Sequence, residues 1–89
     1  MKIRELLDSP EKWTKGELAR NLHGVAVAPT ARGACQWCLV GAIFRCYTNA
    51  LVVYRRVQDY LLGRSVSFWN DREETTYELV KALVDEMDI

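Results

Sequence analysis

Cys35-Gln36-Trp37-Cys38 sets two thiols three positions apart beside a tryptophan, and an apolar run follows them to Phe44. A Cys-x-x-Cys pair at a helix start is the arrangement that lowers a thiol pKa in disulfide oxidoreductases. The surroundings argue against that chemistry. No strand–helix–strand pattern precedes the pair, and Cys38 leads into an apolar helix face. Cys35 and Cys38 are therefore expected to be packed free thiols, with their accessibility the property to test. A cysteine hydrolase would have to use His23 as its base, because it is the only histidine. His23 falls in a turn, where histidine is ordinarily a solvated loop residue. Zinc fails on reach. Cys38 and Cys46 are eight positions apart, about 12 Å along a continuous helix, whereas zinc–sulfur bonds are about 2.3 Å. A set of Cys35, Cys38 and His23 lacks a fourth ligand. No catalytic residue, metal or cofactor is assigned, and no paired carboxylates, phosphate loop or serine elbow stands out.

Two further groups are candidate binding residues. Trp69-Asn70-Asp71 offers an aromatic platform, an amide that both donates and accepts, and a carboxylate. The competing reading has Trp69 in the core and Asn70 or Asp71 closing a turn. Trp37 is read as core by the same reasoning. Arg55-Arg56, with Arg64 and Arg72, makes the densest basic cluster, suited to phosphate or an acidic protein surface. Solvated arginines on a helix are the commoner case.

The 89 residues suffice for one domain, and 49% hydrophobic content with three tryptophans argues for a folded globule. Twelve basic and twelve acidic residues give a formal net charge of zero. A sequence-independent nucleic-acid binder carries a basic excess, so no nucleic-acid partner is expected. Near-neutrality also eases self-association, which admits a homodimer. No secretory signal or membrane span is evident. Three cysteines, an odd number, fit free thiols in a cytoplasmic protein.

The elements that would position these residues follow from periodicity. Ile3, Leu6 and Leu7 share one face of a short helix over residues 2–8, and Ser9-Pro10 restarts a turn that ends near Trp13. Residues 17–28 read as a small hairpin with Gly24 at a positive-φ turn position. Residues 34–47, apolar almost all round, read as the central helix, and Gly41 within it marks a close helix crossing. Ala50, Val53, Val57 and Leu61 form the stripe of the next helix, which Gly63 ends. Residues 64–71 read as a loop with Val66, Phe68 and Trp69 packed down. Thr75 and Glu78 form a capping box for a last helix burying Leu79, Val80, Leu83, Val84 and Met87.

With these segments in place, the chain resembles a family of small uncharacterised proteins from bacteria and phages. The resemblance rests on Trp13-Thr14-x-Gly16, Gly24, Trp37-Cys38-Leu39-x-Gly41-Ala42-Ile43, Trp69-Asn70-Asp71 and Thr75-x-x-Glu78. It implies a shared fold and a phage or prophage origin, and carries no established activity. Cys35 and the short charged first helix depart from the pattern.

The resulting expectation is a single α+β domain, mostly α, spanning 1–89. About four helices surround a central apolar helix of about residues 34–47, with one short β-hairpin at about 17–28. The expected role is a non-catalytic binding or accessory protein acting on a protein partner. The alternative is a small-molecule binder or thiol-dependent enzyme using a pocket near Cys35, Trp37 and Trp69.

Overall fold

A helix with little polarity on any face has to lie in the middle of a molecule, and Leu39–Cys46 does. The structure, a computed structural model, describes residues 1–89. In chain order it contains α1 (Ile3–Leu6), a 3-10 turn (Pro10–Lys12), β1 (Ala19–Arg20) and β2 (Gln36–Trp37). There follow α2 (Leu39–Cys46), α3 (Ala50–Tyr60), α4 (Val66–Asp71) and α5 (Tyr77–Met87). The architecture is the expected mostly helical α+β type. Leu39, Val40, Gly41, Ala42 and Ile43 are all buried, and α2 packs against α1, α3 and α4 while α1 also meets α5.

The central helix is shorter than expected at its start. Residues 36–37 are a strand instead, paired antiparallel with β1 in the register Ala19↔Trp37 and Arg20↔Gln36. An unbroken apolar run has no period of its own, so it cannot separate a buried strand from a buried helix. The expected turn within 17–28 is present. Asn21 N donates to Val25 O at 2.9 Å and Val27 N to Ala19 O at 3.0 Å, and Gly24 has φ 77°. The two-residue ladder, however, joins β1 to β2 across the intervening loop. Trp37 holds that loop inward. Its Nε1 donates to Pro29 O at 2.9 Å, Arg45 lies 5.4 Å over its ring, and Arg45 Nη1 donates to Pro29 O and Ala31 O.

Gly41 does mark a close approach, but to the backbone just before β1 rather than to another helix. A Cβ placed on Gly41 would lie 1.8 Å from Leu18 O and 2.7 Å from Leu18 C. The same backbone carbonyl accepts from Cys38 N at 3.2 Å. The hairpin therefore lies directly on the first turn of α2.

α3 buries the predicted stripe of Ala50, Val53 and Val57, with Leu61 just past its end. Leu62 and Gly63 leave the helix at φ 59° and 83°, and Gly63 N closes on Gln58 O at 2.8 Å. Residues 66–71, expected as a loop, form α4, capped by Ser65 Oγ on Phe68 N at 3.3 Å. Val66 and Trp69 are buried as expected, but Phe68 is 71% exposed. A helical turn carries the middle of these three side chains outward. The cap of α5 sits one residue later than expected, at Thr76, whose Oγ1 accepts from Leu79 N. Thr75 is instead buried and donates to Trp69 O at 2.6 Å. With that shift Leu79 turns outward to 44% exposure, while Val80, Leu83 and Val84 are buried.

The Gly41 contact yields a prediction with a sign opposite to helix propensity. Alanine would favour the helix by about 1 kcal/mol over glycine, but the atom it must displace is backbone carbonyl. Overpacking costs about 1–3 kcal/mol even where side chains can yield. Gly41→Ala is expected to lower unfolding stability by at least about 3 kcal/mol, read from the midpoint of urea denaturation.

Candidate functional site

A primary amide offers an oxygen with two lone pairs and two N–H donors, and Asn70 employs all of them. It is 0% exposed on α4. Its Oδ1 accepts from Trp13 Nε1 at 2.8 Å and from Leu39 N at 3.0 Å. Its Nδ2 donates to Thr14 O at 3.2 Å and to Asp71 Oδ1 at 2.8 Å. Asp71 Oδ1 also accepts from Gly16 N at 3.0 Å, and Lys15 Nζ donates to Arg72 O at 2.8 Å. The Trp13–Gly16 segment is thus fastened to α4 along its length. Arg20 completes the knot from β1, with Nε on Thr14 Oγ1 at 3.0 Å, Nη2 on Lys15 O at 3.0 Å and Nη1 on Gly24 O at 3.1 Å.

Trp69, Asn70 and Asp71 do not share one cleft. Successive residues of a helix fan apart by about 100°, and these three sit on α4 rather than on a loop. Trp69 lines a groove of about 280 Å³ with Tyr60, Leu61, Leu79, Ala82 and Leu83. Asp71 lines a separate cleft of about 250 Å³ with Gly16, Leu18, Cys38 and Ser67. Asn70 faces inward. Its interior role went unread because three of the four partners of its amide lie 31 to 57 positions away, beyond any local pattern.

The thiols differ in setting. All three cysteines are free. Cys38 is the N-cap of α2, its Sγ accepting from Gly41 N at 3.3 Å. Burial pushes the Cys38 thiol pKa up against the pull of that hydrogen bond, and burial likewise raises Cys46. A helix N-terminus favours thiolate, but here desolvation wins. Cys35 is half-buried and precedes β2. It lines both a cleft of about 480 Å³ with Asn21, Leu22 and Gln36 and one of about 280 Å³ with Leu6, Ala34 and Trp37. Lys12 borders both, with its ammonium 2.8 Å from Asp8. His23 is exposed in the hairpin turn and lines neither cleft. No group of three or more His, Cys, Asp or Glu side chains is placed to hold a metal ion.

The basic cluster is divided. Arg72 lies 5.7 Å over the Trp69 ring and donates to Thr75 Oγ1 at 2.9 Å. Arg55 and Arg56 are exposed on α3, and Arg64 is exposed beyond it. None of the last three is in an ion pair.

Removing the Asn70 amide would orphan Trp13 Nε1 and the buried Leu39 N together. Each unpaired buried polar group costs about 1–3 kcal/mol, so Asn70→Ala is expected to lose about 3–5 kcal/mol in urea denaturation. Cys38 gives a second expectation, in Cys35→Ser/Cys46→Ser protein. At neutral pH its thiol should react with a disulfide reagent at least about a hundredfold more slowly than in the denatured chain, since reaction waits on opening. Its pKa is raised by folding, so the unfolded chain loses its proton first. Stability should be full below the ordinary thiol range and fall as pH rises through that range toward the raised folded value.

No curated protein and no solved structure matches the chain. The Trp13–Gly16 and Trp69–Asp71 motifs of the resemblance are bonded to each other in the knot, and a family match spans nearly the full length. Matching over residues 1–87, the chain belongs to DUF6197, a family of unknown function.

Proposed function

We propose that this chain is a non-catalytic binding or accessory protein of bacterial or phage origin that acts in the cytoplasm on a protein partner. The observation that carries the reading is the groove between α3 and α5. Leu61, Trp69, Ala82 and Leu83 line it, Tyr60 and Leu79 flank it, and its volume is about 280 Å³. Small-molecule sites span about 300–1,000 Å³ and enclose their ligand. This groove is sized for one bulky apolar side chain presented by another protein. Arg72 and Glu86 at its border supply one charge of each sign for flanking residues of that partner, and Tyr60 Oη donates to Glu86. Leu79, 44% exposed at its flank, adds apolar surface of the kind that marks interaction sites. Interference with host machinery is the role suggested by small size and by the resemblance to phage proteins, an analogy at the level of family.

The alternative is a small-molecule binder or thiol-dependent enzyme near Cys35, Trp37 and Trp69. In its favour, Cys35 borders two clefts, one of about 480 Å³. Against it, Trp69 opens onto a different groove from Cys35 and Trp37.

The test compares tagged wild-type protein with Leu79→Asp and Lys81→Ala in lysate of the native host. A protein retained by wild type and by Lys81→Ala, and depleted at least about tenfold with Leu79→Asp, is the expected outcome. A small molecule released on denaturation, with no protein sensitive to Leu79→Asp, would overturn the reading in favour of the alternative.

A further inference from the structure

The outward face of α3 carries a pattern that its packing does not require. Leu51, Val52, Arg55, Arg56 and Asp59 are exposed there, opposite the buried Ala50, Val53 and Val57. Leu51 is 70% exposed, Val52 57%, and Leu62, just past the helix, 87%. Val52, Arg55 and Asp59 are spaced by three and four positions on α3, the alternation with which one helix offers a seam to another, and Leu62 follows three positions on, just past the helix end. Arg55 and Asp59 are one turn apart, yet neither is in an ion pair.

Along this seam the order is apolar, basic, acidic, apolar, arranged symmetrically about Val57. Reversed end to end, the seam exchanges its charges and superposes its apolar ends. A two-fold contact requires that relation, because residue i meets j wherever j meets i. We propose that the outer face of α3 is a homodimer interface, in which a second copy of this chain packs antiparallel on Val52, Arg55, Asp59 and Leu62. Arg55 then faces Asp59 of the second copy and Asp59 faces its Arg55, while Val52 meets Leu62 at both ends. The opposed helix dipoles add to the attraction, and zero net charge removes overall repulsion between copies.

The backbone at Leu62 supports the assignment. Its φ of 59° is left-handed, a conformation that costs a side chain about 1–2 kcal/mol and that glycine or asparagine fills more readily. A leucine held there, almost wholly in solvent, has no packing role within its own chain. Contact with another molecule gives it one. The contact is small: eleven helical residues extend about 16 Å, short of the surface buried in stable complexes. The dimer is accordingly weak and depends on concentration. It uses the side of α3 away from the Trp69 groove, so either assignment can fail alone.

Sedimentation equilibrium over a micromolar-to-millimolar series tests it, with circular dichroism confirming that each variant is folded. The wild-type average mass should climb from 10.3 kDa toward twice that value. Arg55→Asp and Asp59→Arg should each raise the dissociation constant at least about tenfold by setting like charges together twice. The double variant, with the charges exchanged, should return to within about threefold of wild type, as expected of a directly coupled pair. A protein monomeric at millimolar concentration would overturn the proposal. So would a dimer indifferent to either single reversal, or a double variant that stays as weak as the singles.

Discussion

Burying an amide is costly unless each of its donors and lone pairs finds a partner, and within a low-dielectric interior that requirement fixes the geometry around it. Asn70 imposes this on the whole molecule. Its oxygen ties the Trp13 indole to the first turn of α2, and its nitrogen ties the Thr14 carbonyl to α4. Once those bonds form, the Trp13–Gly16 segment lies along α4, Arg20 is placed to reach it from β1, and β1 is carried to the position where Leu18 crosses Gly41. The start of α2 consequently has two side-chain acceptors, the Cys38 sulfur and the Asn70 oxygen. These meet the need for partners that every helix N-terminus has. The thiol is consumed as a cap, and its desolvation runs opposite to the activation a nucleophile needs.

The parts that could be read from sequence are those with a local physical cause. The α3 stripe follows from a repeat of three and four, the α3 exit from Gly63, and the tight contact from Gly41, a residue a helix would otherwise avoid. The missed parts depend on distant partners. Residues 36–37 became a strand because Ala19–Arg20 lies alongside them. The cap of α5 moved to Thr76 because Trp69 O claims the Thr75 hydroxyl. Asn70 had the right chemistry for a binding rim, and nothing local disclosed that the Trp13 indole and the Leu39 amide would occupy it. Trp69 was legible as core, and the structure also opens its edge to a groove.

The three tryptophans show how few aromatic residues organise so small a chain. Each has a cation above its ring: Lys15 over Trp13 at 5.5 Å, Arg45 over Trp37 at 5.4 Å and Arg72 over Trp69 at 5.7 Å. Each cation also makes a hydrogen bond beyond its ring, Lys15 to Arg72 O, Arg45 to Pro29 O and Arg72 to Thr75 Oγ1. Trp37 and Trp69 fill the interior and Trp13 packs half-buried against it, while the cations above them anchor loops, a division of labour suited to amphipathic side chains. The Trp13–Gly16 and Trp69–Asp71 segments are therefore mostly what holds the chain together. The outer side of α3 carries none of that duty.

The Asn70 bonds have a further consequence for how the chain acquires its shape. Trp13 and Asn70 are 57 positions apart, Leu7 and Tyr77 70, and Lys2 and Asp88 86. The local elements are too short to persist alone, since helices under about 12–15 residues are marginal in water and α3 and α5 have eleven each. Ring closure over such spans costs entropy before any contact repays it. The short helices therefore draw their stability from contacts that span the chain rather than from their own length. The polypeptide is laced from end to end, and the buried Asn70 lace carries more of the load than the exposed Lys2–Asp88 one.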